Sequence, residues 1–309
     1  MSVPITASLI NLTTLTASDL QNLISVQDGH YNPQSLCYSP VTGYLYMLQV
    51  LEAGTAGNLI LNQYHKVSGT WTLNGYMYLN GFGHGTSFGV FNSSGSTDWF
   101  FTEGGDDPLT GRGLGITWFK WVHNTTINGG ISPNGYWPIG SDISCAVDPG
   151  QQYLAVRSRS ILDGKFYYTV WGVGPFLTLG PLAPNLIDAG PFPEYSQDSR
   201  TGSGNAYAFQ GFAIWGSYLY TISQQVSPPT ASGSPDQQKW HCRSYDLNGT
   251  LNNSSGYIAV SSLHAGPTAT PGEIEGITPW NFGGPEQLAF MITSNGGSPT
   301  HKWNLHLLS

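Results

Sequence analysis

The sequence predicts an all-β fold, a single five-bladed β-propeller spanning residues 1–309 as one domain. Three observations carry this expectation. Short runs rich in Tyr, Trp, Val, Ile, Thr and Phe alternate with Gly, Asn, Ser and Pro, which is the pattern of strands joined by turns. Helical periodicity is almost absent; the best candidate is the short stretch Ser18–Ile24, with Ser18 as its N-cap. Tight strand pairs recur, with first strands about 50–65 residues apart, longer than the roughly 40–50 of a compact propeller repeat.

The first pair is Ser35–Tyr38 with Tyr44–Val50, and the second is His84–Phe91 with Asp98–Thr102. The third is Ile143–Val147 with Tyr153–Arg157, and the fourth is Gln210–Ile214 with Tyr218–Ser223. Glu275–Pro279 with Gln287–Thr293 is the fifth. Outer strands follow: Leu59–Tyr64 with Tyr76–Leu79, Gly115–Val122, Phe166–Val173, Trp240–Leu247 with Tyr257–Val260, and Lys302–Leu307. The excess length falls in loops such as Thr178–Asn205 and Ser227–Gln238. The dipeptides Asn74-Gly75, Asn134-Gly135, Asp163-Gly164 and Asn248-Gly249 are turn signals, and three of them lie between strand-like runs and read as hairpins. Ile5–Thr16 supplies a strand that closes the ring on the last blade. A two-sheet sandwich fits the length less well, and no linker divides the chain.

Composition narrows the function. Lys and Arg number 10 against 18 Asp and Glu, for a net charge of −8, which argues against a nucleic-acid partner. Charged residues are only 9% of the chain, against roughly a quarter in ordinary soluble domains. The 10 Trp, 17 Tyr and 13 Phe argue against disorder and suit packing between blades. No apolar run approaches the roughly 18–20 residues of a membrane span, so no membrane insertion is expected. Met1–Leu20 holds no Lys or Arg, so no signal peptide is expected. Cys37, Cys145 and Cys242 sit in apolar settings and read as buried free thiols.

Aligned on a small residue, the five first strands place Gln34, His84, Asp142, Gln210 and Glu275 at one blade position. In a propeller these residues ring the axis near one mouth. Gly85-Thr86-Ser87-Phe88-Gly89 matches G-x-S-x-G, but a strand rather than a helix follows it, so its glycines read as packing residues and not as a nucleophile elbow. Glu273 and Glu275 are two apart and share one strand face. Such a pair suits glycoside hydrolysis, with Asp142 as a third carboxylate. Glu103, Asp106 and Asp107 form a second acidic cluster in the Gly-rich loop Glu103–Gly113, the one place where oxygen ligands for Ca²⁺ are concentrated. It lacks the D-x-D-x-D-G pattern, and no His spacing suits zinc, so neither metal nor cofactor is expected. Trp137 and Tyr136, with Tyr195 and Tyr207, are loop aromatics able to stack on a pyranose.

Four motifs in order carry a resemblance across nearly the whole chain: Gly83-His84-Gly85-Thr86-Ser87, Gln210-Gly211-Phe212-Ala213, Ser244-Tyr245-Asp246-Leu247-Asn248-Gly249 and Glu273-Ile274-Glu275-Gly276. The chain resembles the five-bladed propeller domain of receptor-binding proteins from tailed phages of Gram-positive bacteria, to which helveticin-type bacteriocins are also similar. The resemblance implies binding of cell-wall glycopolymers such as teichoic acids, a place in the virion tail or fibre, other tail proteins as partners, and a homotrimer. Two departures stand out: no long stem precedes the propeller, and Ile274 stands where a proline is common. The reading is a glycan-binding module and not an enzyme, released to the extracellular space. The rivals are a propeller glycosidase or lyase on wall polysaccharide, a capsid or tail decoration protein, and a helveticin-like bacteriocin.

Overall fold

A computed structural model describes residues 32–50, 57–92, 95, 97–128, 135–179, 187–194, 207–225, 240–250, 257–258, 274–280, 287–294 and 302–308. Helix candidate Ser18–Ile24 and the closing strand Ile5–Thr16 lie outside them. The described residues form five sheets.

Sheet 1 runs β1 (Asn32–Tyr38), β2 (Leu45–Val50), β3 (Leu59–Val67) and β4 (Thr70–Asn80), antiparallel throughout. Sheet 2 holds β5 (Gly89–Phe91), β6 (Trp99–Asp106) and β7 (Gly113–Lys120). The chain then returns to sheet 1 as β8 (Thr125–Asn128), parallel to β4, before β9 (Tyr136–Pro138) pairs with β7. Sheet 3 is β10 (Ser141–Val147), β11 (Tyr153–Arg159), β12 (Phe166–Gly172) and β13 (Ile187–Pro193). Sheet 4 is β14 (Tyr207–Trp215), β15 (Tyr218–Gln225), β16 (Trp240–Asp246) and β17 (Tyr257–Ile258). Sheet 5 is β18 (Ile274–Trp280), β19 (Gln287–Ser294) and β20 (Lys302–Leu308).

Alternation on each strand turns apolar residues to both faces, so each sheet can bury both sides against neighbours. Five apolar clusters result. Tyr46, Leu48 and Leu61 of sheet 1 meet Phe100 and Phe119 of sheet 2. Phe101 and Ile116 of sheet 2 meet Leu154 and Val156 of sheet 3. Tyr168 and Val170 meet Phe212 and Leu219 of sheet 4, and Ile222 and Cys242 meet Ile277 and Phe290 of sheet 5. The fifth cluster joins the last sheet to the first, with Trp280, Ala289 and Met291 packed on Leu45, Tyr64 and Trp71. The order of contact among the sheets is thus cyclic. Burying one such large side chain contributes about 1.5–3 kcal/mol, so these clusters are the main source of stability. The three cysteines are buried and free, as read from the sequence.

Polar latches join the hairpin turns at one end. Asp98, before β6, accepts hydrogen bonds from Ser39 Oγ (2.9 Å) and Thr42 Oγ1 (2.5 Å) of the β1–β2 turn. The backbone N–H of Asn92 donates to Gln151 Oε1 of the β10–β11 turn at 2.8 Å. Asp148 Oδ1 accepts from the N–H of Gly216, in the β14–β15 turn, at 2.9 Å. Arg157 and Glu194 form a buried bidentate pair of 2.5 and 3.2 Å. The Arg157 guanidinium carbon lies 3.5 Å from the ring centre of Phe166 and 3.8 Å from that of Phe209, which pins sheet 3 to sheet 4.

Several expectations are corrected. The segment Thr178–Asn205, read as loop, contains β13, because Tyr168, Val170 and Trp171 leave an unpaired edge that Ile187–Pro193 completes. The helix α1 (Val173–Leu179) follows β12, and its buried Phe176 packs on Phe101, Trp118 and Trp171. Its Pro175 falls in the first turn, where no intrahelical N–H is required. Asn74-Gly75 is no hairpin: Gln63 pairs with Gly75 and Tyr64 with Leu73, so Asn74 is a bulge inside β4. Tyr136 and Trp137 lie on β9, not in a loop, because the free edge of β7 recruits them.

Candidate functional site

The small residues used to align the first strands mark a real local structure. Register slips occur between Pro33 and Ser35 on β1, Ser141 and Ser144 on β10, Phe209 and Gly211 on β14, and Glu275 and Ile277 on β18. Each is a bulge near the start of a first strand. Bulges bend the strand and re-aim a side chain.

These bulges bring backbones together. A Cβ built on Gly276 (φ +62°) would stand 2.7 Å from Ser35 Cα. One on Gly211 (φ +149°) would stand 3.0 Å from Gly276 Cα and 3.3 Å from the Thr86 carbonyl. Only glycine permits both the left-handed backbone and this approach. Ser35 Oγ donates to the Gly85 carbonyl at 2.5 Å, and Ser87 Oγ donates to the Phe212 carbonyl at 3.0 Å. So Ser35, Gly85, Gly211 and Gly276 are gathered at one place. Gln34, His84, Gln210 and Glu275 are the residues that immediately precede them. Four of the five polar residues picked from sequence are therefore drawn from four sheets to one mouth.

Their environments differ. Gln34, Gln210 and Glu275 are buried, and His84 is half-buried. Gln34 Nε2 reaches the Pro33 carbonyl at a long 3.4 Å. Burial, then the nearby Arg112 charge, hold the His84 imidazole down at about 4, so it is neutral at physiological pH. Asp142 is the exception. It stands at φ +51° and forms an ion pair with the exposed Arg159 at 3.5 Å.

Glu103 is fully engaged beneath the mouth. Its Oε1 accepts the Gly85 N–H, and its Oε2 accepts the Gly113 N–H at 2.8 Å. Burial pushes its carboxyl up to about 7, against the opposing pull of the Gly113 amide, Arg112 and the amides of Gly85 and His84. The acidic cluster expected from Glu103, Asp106 and Asp107 does not converge. Glu103 and Asp106 lie on β6, and Asp107 uses its oxygens on the Leu109 N–H and Thr110 Oγ1, both at 2.9 Å. The pattern is loop-capping, because the cluster straddles the end of a strand whose alternate side chains point apart. Glu273 lies outside the described residues, as do Tyr195 and the side chains of Trp137, Tyr136 and Tyr207.

Arg112 was missed in the sequence. It follows the β6–β7 turn, and its Nη1 donates to Thr86 Oγ1 at 3.0 Å. A lone cation inside an acid-rich loop was the available signal. The turns at this end also expose apolar tips: Leu109 is 92% exposed, Ile161 89% and Leu162 93%. Protruding apolar residues beside polar groups mark contact surfaces.

Glu103 gives a pH prediction. Its carboxyl titrates higher in the folded chain than in the unfolded one, so the folded state binds more protons between about pH 4.5 and 7. Stability from this group is present at low pH and is lost as pH rises through about 7, by up to about 3 kcal/mol. His84 acts in the opposite sense, since its lowered value costs stability as pH falls from about 6.5 toward 4. Urea unfolding of wild type and Glu103→Gln at pH 5 and pH 8 separates them. The gap between the two proteins is expected to shrink at pH 8; a constant gap contradicts this role.

No protein-family profile and no curated protein sequence matches the chain. Solved structures do. The tail fibre of Staphylococcus aureus phage P68 superposes with a TM-score of 0.62 at 16% identity, over 92% of this chain and 51% of that one. A thermostable family-43 glycoside hydrolase gives 0.45 at 11% identity, covering 92% and 90%. The SapL1 lectin in complex with alpha methyl fucoside gives 0.36 at 11%, covering 89% and 80%. The last two scores are too low to carry an argument. This chain spans about half the length of the tail fibre and shares its all-β fold.

Proposed function

We propose that the five sheets are blades of a five-bladed β-propeller, and that the chain is a receptor-binding module of a phage or phage-like particle. Its ligand is a glycan on the bacterial surface, a cell-wall glycopolymer. One observation carries the reading: bulges on separate first strands gather Gln34, His84, Gln210 and Glu275 at a single mouth. Neutral hydrogen-bonding groups of that kind read sugar hydroxyls, and the exposed tips of Leu109, Ile161 and Leu162 offer apolar contact beside them. The fold shared with a phage tail fibre supports the setting. Copies displayed together on a virion, as in a trimer, raise weak binding by about 10²–10⁴-fold.

The glycosidase reading has less support. Glu103 is engaged by backbone amides and Asp142 by Arg159, whereas hydrolysis needs two carboxyls facing one bond. The test is to incubate the purified chain with Gram-positive cell walls and with walls stripped of glycopolymer, and to measure retained protein and released sugar. Retention that is lost on stripping, with no sugar released, is expected. Sugar release makes the chain an enzyme. Absence of retention on every wall leaves a decoration or bacteriocin role.

A further inference from the structure

We infer that Arg112 makes this mouth selective for glycans that carry an anionic substituent, a phosphate or a carboxylate. The inference rests on the glycan-binding reading above and names the ligand chemistry of the same site.

Arg112 is held in place by its backbone. Its N–H donates to Thr110 Oγ1 at 3.3 Å, and its carbonyl accepts from the Asp107 N–H at 2.8 Å. The half-buried side chain crosses to the Gly83–Ser87 segment, where Nη1 meets Thr86 Oγ1. A guanidinium has five donor hydrogens, and this contact engages one. The ion pairs among the described residues are Arg157–Glu194 and Arg159–Asp142, so Arg112 has no carboxylate partner there. The two acids nearest in sequence are both occupied: Glu103 by the Gly85 and Gly113 amides, Asp107 by Leu109 and Thr110. Burial holds Glu103 toward its neutral form, so it cancels the Arg112 charge only in part.

His84 stands beside this cation, since the Arg112 charge bears directly on its titration. No side-chain hydrogen bond engages its ring among the described residues, and as a neutral imidazole it offers one donor and one acceptor. A half-buried guanidinium with unused donors is met best by an oxyanion, which its planar fork binds bidentately. An adjacent hydroxyl of the same sugar then falls to His84 and Thr86. The chain is acidic overall, with 10 Lys and Arg in 309 residues, so an unpaired cation at the mouth is a local reversal of charge that selects anions.

The test uses the full chain with ¹⁵N-labelled arginine. The Arg112 Nε–H resonance is identified by its absence in Arg112→Gln. Inorganic phosphate, glucuronate and methyl glucoside are titrated separately. A saturable shift of that resonance with phosphate or glucuronate, and none with methyl glucoside, is expected; the stronger of the two names the anion. Arg112→Gln is expected to lose affinity roughly tenfold to a hundredfold, and Arg112→Lys less, with the melting temperature of both unchanged. Equal affinity in Arg112→Gln, or no saturable shift with either anion, overturns the inference. Wall retention, measured in parallel, separates the two readings. Walls that hold Arg112→Gln as well as wild type leave the receptor reading standing and remove this one. Anion binding at Arg112 with no wall retention does the reverse.

Discussion

Glu194→Ala is expected to lower the unfolding free energy by about 3–5 kcal/mol. The change strands Arg157, which is 5% exposed and enclosed by Phe166 and Phe209. A buried guanidinium deprived of its carboxylate retains its charge and loses its compensation. The N–H of Glu194 also bonds the Phe166 carbonyl at 2.9 Å, so the backbone at the end of β13 is already anchored; the loss is that of the side chain. Arg157→Met combined with Glu194→Met removes both charges and keeps the volume apolar. The double variant is expected to be less destabilised than Glu194→Ala alone. Urea denaturation followed by tryptophan fluorescence measures both. A cost below about 1 kcal/mol for Glu194→Ala, the range of exposed pairs, contradicts this account of the staple between sheets 3 and 4.

Asp98→Ala is expected to be as costly, again about 3–5 kcal/mol. Asp98 is 2% exposed and accepts four hydrogen bonds. Two come from the β1–β2 turn, a third from Tyr46 Oη at 2.6 Å, and a fourth from Asn92 Nδ2 at 3.0 Å. The network extends outward, with Gln63 Nε2 donating to Tyr46 Oη at 2.6 Å and Asn74 Nδ2 to Gln63 Oε1 at 2.5 Å. Burial and the Asp98 charge raise the Tyr46 hydroxyl, which therefore stays protonated and donates. Alanine leaves the buried hydroxyls of Ser39 and Tyr46 facing apolar surroundings. Asp98→Asn keeps the volume but replaces one acceptor oxygen with a donor, so a smaller loss is expected. Thermal unfolding of the two variants gives the order. Asparagine as damaging as alanine contradicts the assignment of acceptor count as the cause.

Much of the fold was legible because propeller-like strand pairs are local. Ile143–Val147 with Tyr153–Arg157 lies within the observed β10 and β11, and Tyr218–Ser223 lies within β15. Composition and turn residues suffice for contacts that span a few residues. What escaped was set by distant edges. Ile187–Pro193 becomes a strand because β12 offers an open edge, and nothing in its own residues, which include two prolines, announces this. The excursion of β8 to sheet 1 is likewise invisible locally, since its partner β4 lies some 48 residues earlier, as in the Asn80–Asn128 side-chain bond.

The mouth was half legible. Gln34, His84, Gln210 and Glu275 stand out because each precedes a small residue, and the close approach at Ser35, Gly85, Gly211 and Gly276 is what requires the small residue. Arg112 did not stand out, because it reaches the mouth from a hairpin turn and not from a first strand. Asp98 and Arg157 carried no local signal either, as their partners are 37 to 59 residues away. Glu103 was noticed for its charge and read as a loop acid, whereas its place on β6 makes it the buried brace of the Gly83–Ser87 segment.

The central claim is that the bulged end of the sheets holds a cell-wall glycan. It is tested most directly by wall retention of variants at the two ends of the same hairpins. His84→Ala and Thr86→Ala alter the bulged end, and Val41→Ser alters the β1–β2 turn at the other, where Val41 is 48% exposed. The account predicts that the first two variants lose retention while Val41→Ser binds as wild type, with all three equally folded. Loss with Val41→Ser alone, or retention untouched by all three, contradicts it.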